Sequence, residues 1–211
     1  MSLEAIQGKV RSEPLNRNFS YLDSIKVDVL HEDLVVNIPT DYNTLQDAID
    51  DLSRIKPKQG KIITLNIESG HKLKKGLLVQ NGDYSHFVIK SEDSIVYLDN
   101  NFVGADIDSI SAKDNVFFGF NAKLPRLSCL IDMEKTHGCG YYATNGSSGH
   151  IDAGCGVINA GKHGLVSVAS IVNAQNTVWD GAVEMGIRAQ QVGQISAQGG
   201  SANDCGDDAV F

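Results

Sequence analysis

The sequence predicts an all-β chain: a right-handed parallel β-helix solenoid with an N-terminal capping α-helix and a short N-terminal stalk or arm. Three observations predict it. Beyond Gly140, similar phrases recur with glycine markers 24 and 22 residues apart (140 to 164, 164 to 186), a period that belongs to stacked solenoid units. Each phrase has three to five residues and alternates apolar with small or polar side chains, the period of a half-buried strand. An amphipathic helical pattern precedes the first strands, where it would cover the open end of a stack.

The repeats read as three short strands per unit. Gly140-Tyr-Tyr-Ala143, Gly164-Leu-Val-Ser-Val-Ala169 and Gly186-Ile-Arg-Ala189 open the units. His150-Ile-Asp-Ala153, Ile171-Val-Asn-Ala174 and Gln194-Ile-Ser-Ala197 follow. Val157-Ile-Asn159 and Val178-Trp-Asp180 close the first two units, and Ser201-Ala-Asn-Asp204 takes their place in the third. The steps between phrases are rich in Gly, Asn, Asp and Ser, which tolerate tight corners. The expected inner column is Ala143, Ile151, Ala153, Val157, Leu165, Ile171, Ala174, Val178, Ile187, Ile195 and Ala197, with Gln175, Gln190 and Gln198 outside. A Gly-rich β-sandwich is the competing architecture.

Composition narrows the function classes. The 211-residue chain is long enough for one sizeable core. Its net charge is −8 and its Lys and Arg do not cluster, which argues against nucleic acid as a partner. No run of about 18 apolar residues is present, so no membrane-inserted helix is expected. Cys129, Cys139, Cys155 and Cys205 match no zinc or thioredoxin spacing. Buried free thiols are preferred over disulfides, in keeping with folding in a reducing cytoplasm. The six histidines form no His-x-x-x-His pair, so neither a metal nor another cofactor is expected.

In chain order, residues 1–35 read as a stalk or adaptor arm. Leu15, Phe19, Leu22 and Val29 share one face at helical spacing, Ile25 lies near it, and the segment is either a short coiled coil or a loose arm. Residues 36–60 hold a strand and the capping helix. Leu34-Val-Val-Asn-Ile38 is the strand, and Leu45, Ala48, Ile49 and Leu52 give the helix its apolar stripe over 44–56. Asn43 and Gln46 have capping-box spacing, and Pro57 and Gly60 stop the helix. Residues 61–211 form the β-helix. Its early coils are less regular and richer in aromatics than those after Gly140.

The stretch Asp41-Tyr-Asn-Thr-Leu-Gln-Asp-Ala-Ile-Asp-Asp-Leu-Ser-Arg54, followed by Ile62-Ile-Thr-Leu-Asn-Ile-Glu-Ser-Gly70, resembles the opening of β-helical tailspikes and tail fibres of bacteriophages. Pro14 to Asp23 is similar to adaptor segments of phage tail proteins, and the repeats after Gly140 resemble the same family's coils. The resemblance covers most of the chain. It implies a homotrimer on the virion, folded in the bacterial cytoplasm and joined to other tail or baseplate proteins through the N-terminal arm. It also implies contact with a host surface polysaccharide. The metal-binding aspartates and catalytic arginine of pectate-lyase-like enzymes, which share this fold, have no clear match here.

Two functions follow as expectations. One is a structural and receptor-binding spike segment. The other is a polysaccharide depolymerase, a glycoside hydrolase or lyase acting on capsule, exopolysaccharide or lipopolysaccharide. Asp180 and Asp204 hold nearly the same place in consecutive units, and adjacent coils lie about 4.8 Å apart. Their carboxylates are therefore the catalytic candidates, near the ~5 Å separation of a retaining pair. The competing reading makes Asn159, Asp180 and Asp204 one corner column chosen for turn geometry. Trp179, Glu184, Asp207 and Asp208 are the substrate-binding candidates, with Trp179 either stacking on a sugar or packing. Asp208-Ala-Val-Phe211 sits where a fourth unit should begin, so a longer parent protein is expected.

Overall fold

A computed structural model describes residues 29–108, 110 and 113–207. The stalk face of Leu15, Phe19, Leu22 and Ile25, the candidate Asp208 and the start of a fourth unit at Ala209-Val210 lie outside the described residues. The described chain is mostly β, with one short helix and parallel sheets. It begins with β1 (Val29–Leu30), β2 (Leu34–Ile38), α1 (Leu45–Leu52) and β3 (Lys56–Pro57). Then come β4 (Ile63–Ile67), β5 (Leu73–Lys75), β6 (Leu77–Gln80), β7 (Phe87–Ser91), β8 (Val96–Val103) and β9 (Phe117–Phe120). The later units contain β10 (Arg126–Ser128), β11 (Leu130–Asp132), β12 (Tyr141–Thr144), β13 (Ser148–His150) and β14 (Gly156–Ile158). β15 (Leu165–Val168), β16 (Ile171–Asn173), β17 (Ile187–Gln190) and β18 (Gln194–Ser196) complete the series.

Each long sheet takes its strands from successive units: β2-β4-β7-β10, β5-β8-β11-β14, β6-β9-β12-β15-β17 and β13-β16-β18. Every strand pair is parallel, as the sequence leads one to expect; the antiparallel bridge Ala105–Asn115 belongs to the irregular segment between β8 and β9. In the third sheet, Leu77, Phe117, Tyr141, Leu165 and Ile187 share one register position and all are buried. They belong to one apolar core that runs from Val36 to Ala202.

The glycine markers have a packing reason. A Cβ on Gly140 would press into the Val157 side chain and the Gly164 carbonyl, and one on Gly164 into the Gly186 carbonyl and Trp179. The corners have a conformational reason. Asn81, Asn121, Asn145, Ala169 and Gln191 follow the strands of the third sheet, and all have positive φ. Asn tolerates the left-handed region better than most side chains. Asn121 Nδ2 also donates to Asn81 Oδ1 at 2.9 Å, so these two corner residues bond to each other between units.

The helix is shorter than the 44–56 expected. Its N-cap is Thr44, whose Oγ1 accepts from the Asp47 N–H (3.1 Å), rather than Asn43. It ends at Leu52, because Lys56–Pro57 is drawn into a parallel pair with β1, and the residue before a proline avoids helical geometry. Gln46 is not a capping residue. Its amide accepts from Leu78 N–H (2.8 Å) and donates to Leu78 C=O (3.1 Å), standing in for the strand that the outer edge of β6 lacks. Among the described residues, no helix is long and apolar enough to cross a membrane.

Tyr141 reaches across the core toward β13, where a Cβ on Gly149 would strike its hydroxyl. That hydroxyl is buried with no hydrogen-bond partner among the described residues. Because a buried unmade bond costs about 1–3 kcal/mol, Tyr141→Phe is expected to raise the unfolding free energy by about 1 kcal/mol. Chemical denaturation of the two proteins checks this, and a clear loss of stability would mean that the hydroxyl is bonded.

Candidate functional site

A cleft of about 410 Å³ opens on the outer flank of the β6-β9-β12-β15-β17 sheet. Strand pairing builds its floor. Tyr142, Val166 and Arg188 occupy one register position on consecutive strands and point away from the core. Gln190 lies two residues further on, and the Phe118 ring meets Tyr142 edge-on at 5.2 Å. One wall comes from the segment just before each glycine marker. The backbone bonds Gly140 N–H to His163 C=O and Gly164 N–H to Met185 C=O place Cys139, His163 and Met185 on successive rungs. Lys162 stands beside His163, and Lys113 approaches from the irregular segment between β8 and β9.

His163 is 2% exposed. Its Nε2 lies 2.7 Å from Arg188 Nη1, 3.4 Å from Glu184 Oε2, and its Nδ1 lies 3.4 Å from the Met185 N–H. A guanidinium only donates, and a neutral imidazole has one acceptor nitrogen. Nε2 is therefore the acceptor, Nδ1 carries the proton, and the longer Met185 approach is not a hydrogen bond. Burial, reinforced by Arg188 and Lys162 against the opposing pull of Glu184 and Asp207, lowers the His163 pKa to about 4. With its amide oxygen turned toward Arg188, Gln190 accepts from Nε (2.9 Å) and Nη2 (2.5 Å). Neutral acceptors thus hold the arginine, and among the described residues no carboxylate pairs with it.

The neutral imidazole makes stability depend on pH. The unfolded histidine titrates near 6.5 and the folded one near 4, so its stabilising contribution is complete above pH 6.5 and is lost as pH falls toward 4. The loss expected from this group is on the order of 2–3 kcal/mol. Burial depresses His71 and His86 as well, so the measurement is a difference. His163→Gln should lose less stability than the parent between pH 6.5 and 4; parallel curves would contradict the assignment.

The sequence candidates divide. Glu184 and Asp207 lie at this cleft's rim, on rungs that continue from Lys162: Glu184 N–H donates to Lys162 C=O (2.8 Å), and Asp207 N–H to Glu184 C=O (2.9 Å). Trp179 does not face solvent. It is fully buried, its Nε1 donates to Thr177 Oγ1 (2.7 Å), and no sugar reaches it. The reason is a register one residue from that expected. Gly156 pairs with Val178, so Val157 aligns with Trp179 rather than with Val178.

The same slip separates the proposed carboxylate pair. Val178 pairs with Ser201, so Asp180 aligns with Asn203. Its carboxylate accepts from Asn203 N–H (2.6 Å) and Ser201 Oγ (3.2 Å), bonds that bind one unit to the next. Asp204 falls one place later, in the left-handed corner it shares with Asn159 and Gly181. Turn geometry therefore accounts for Asp204, whereas Asp180 lies outside the corner column expected for it and serves to bond one unit to the next. Among the described residues, no group of three or more His, Cys, Asp or Glu is placed to hold a metal ion. All four cysteines are free thiols, and burial raises Cys129 to about 12 and Cys139 to about 11, which leaves both unreactive at neutral pH.

No protein-family model, no curated protein and no solved structure matches the chain. The cleft thus stands on its own geometry. Sequence reasoning passed over Arg188, His163, Lys162, Lys113 and Tyr142. A signal for two of them was present, since the second residue after each glycine marker, Tyr142, Val166 or Arg188, faces outward by strand alternation.

Proposed function

We propose that this chain is part of a phage or prophage tailspike or tail fibre, wound as a right-handed parallel β-helix, that recognises a host cell-surface polysaccharide. The observation that carries the reading is the cleft on the outer sheet flank, with Tyr142 and Arg188 at a common register and Lys113 and Lys162 beside them. Its size falls in the range of about 300–1,000 Å³ usual for ligand sites. A stack of strands also holds such groups at fixed intervals, which suits a ligand that is itself a repeating polymer. The sequence resemblance adds a virion location, a homotrimer and attachment to other tail proteins through the N-terminal arm. Binding of the purified chain to an array of bacterial surface glycans, with light scattering for oligomeric state, tests the proposal. Retention of no glycan would remove the recognition reading, and a monomer at micromolar concentration would remove the trimer.

A depolymerase is the second reading, favoured by Glu184 and Asp207 on adjacent rungs beside His163 and Arg188. A reducing-end assay together with an absorbance scan for unsaturated uronates, run on capsule and lipopolysaccharide, separates binding from hydrolysis or elimination.

A further inference from the structure

We infer that the cleft of Lys113, Lys162 and Arg188 is an oxyanion site, and that its ligand is a carboxylate or phosphate carried on a saccharide. The identification of a saccharide rests on the function proposed above; the oxyanion chemistry rests on the charges alone. In a chain of net charge −8, this cleft collects three cations. Lys113 is partly engaged, since its Nζ donates to Ile107 C=O (2.9 Å) and lies 3.7 Å from Asp108 and 4.0 Å from Asp106. Lys162 is exposed and has no ion-pair partner among the described residues. Arg188 is half-buried, and its hydrogen bonds go to His163 and Gln190, both neutral. A guanidinium removed from water without a counter-charge is costly, and an arriving carboxylate or phosphate supplies that charge with matched geometry. His163 and Gln190 fix the guanidinium beforehand, so little side-chain freedom remains to be lost on binding.

Glu184 sets the selectivity. It is the carboxylate closest to His163 and, with Asp207, lies at the rim rather than on Arg188. Both repel an anion that approaches from their side. An oxyanion is therefore admitted from the side of Lys162 and Tyr142, with the sugar ring near the Tyr142 face.

The test follows the His163 ring by NMR while sodium glucuronate, inorganic phosphate or glucose is added to the whole chain. Glucuronate and phosphate should shift the ring signals with millimolar affinity, and glucose should not. Arg188→Gln should weaken both at least tenfold. Lys162→Gln, an exposed change that leaves folding intact, should weaken them about threefold, and Arg188→Lys should restore only part of the loss. A response to glucuronate alone also supports the site and restricts it to sugar carboxylates. Equal responses to glucose and glucuronate, or no response up to roughly 50 mM, well beyond the expected millimolar range, would overturn it. Phosphate binding with no polysaccharide retained leaves the site standing and removes the glycan reading. Equal polysaccharide retention by the parent and Arg188→Gln removes the site and leaves the glycan reading.

Discussion

Trp179→Ala is expected to lower the unfolding free energy by about 3–5 kcal/mol, the loss typical of emptying a large buried aromatic position. Trp179 leads the fully buried side chains in volume. It continues the inner column that runs through Ile131 and Val157 to Ala202, and Ala202 is too small to fill the gap. The change also removes the indole N–H that the Thr177 hydroxyl accepts, leaving that hydroxyl its bond to Ala174 C=O (2.7 Å). Urea unfolding gives the magnitude. Under conditions where the variant is folded, binding at the Arg188 cleft should be unaltered. A variant as stable as the parent that loses glycan binding would show that the indole faces the ligand.

The second large effect is a contrast between neighbours. Val172→Asp should destabilise by several kcal/mol, whereas Ile171→Asp should change stability by less than about 0.5 kcal/mol. Val172 is 1% exposed and Ile171 is 60% exposed, although the two are adjacent in β16. A charge at the inner position must be desolvated or protonated, while one at the outer position stays in water. The pairing Gly149–Val172–Ile195 fixes which is which. Thermal melts of both variants read the contrast directly, and the opposite ranking would place the strand one residue out of register.

That contrast also shows how far the sequence could be read. The glycine period placed the strands and their parallel pairing, because the marker positions are forced by close packing against Val157 and Trp179. It did not settle which face each residue shows. In strands of three residues a shift of one reverses every side chain. Ile171 looked like core by its chemistry, yet it lies outside, while Val172 fills the interior. Ala153, also expected inside, is exposed at a corner. Trp179 and Asp180 were misassigned by the same shift. Glu184 and Asp207 emerged as candidates from their residue type, but their partners did not. Lys113, Lys162, His163 and Arg188 are separated by up to 75 positions (113 to 188) and converge only when the units stack. His163 offered no pattern of its own, since its place on the rung is taken by Cys139 and Met185 in the neighbouring units.

The proposed grip on a polysaccharide runs through the Arg188 cleft. The most direct measurement is co-sedimentation of the parent and Arg188→Gln with an acidic bacterial capsule, at low and at high salt. The parent should sediment with the capsule at low salt and be released as salt rises, and Arg188→Gln should bind at least tenfold more weakly at low salt. Equal, salt-independent binding by the two proteins would contradict it.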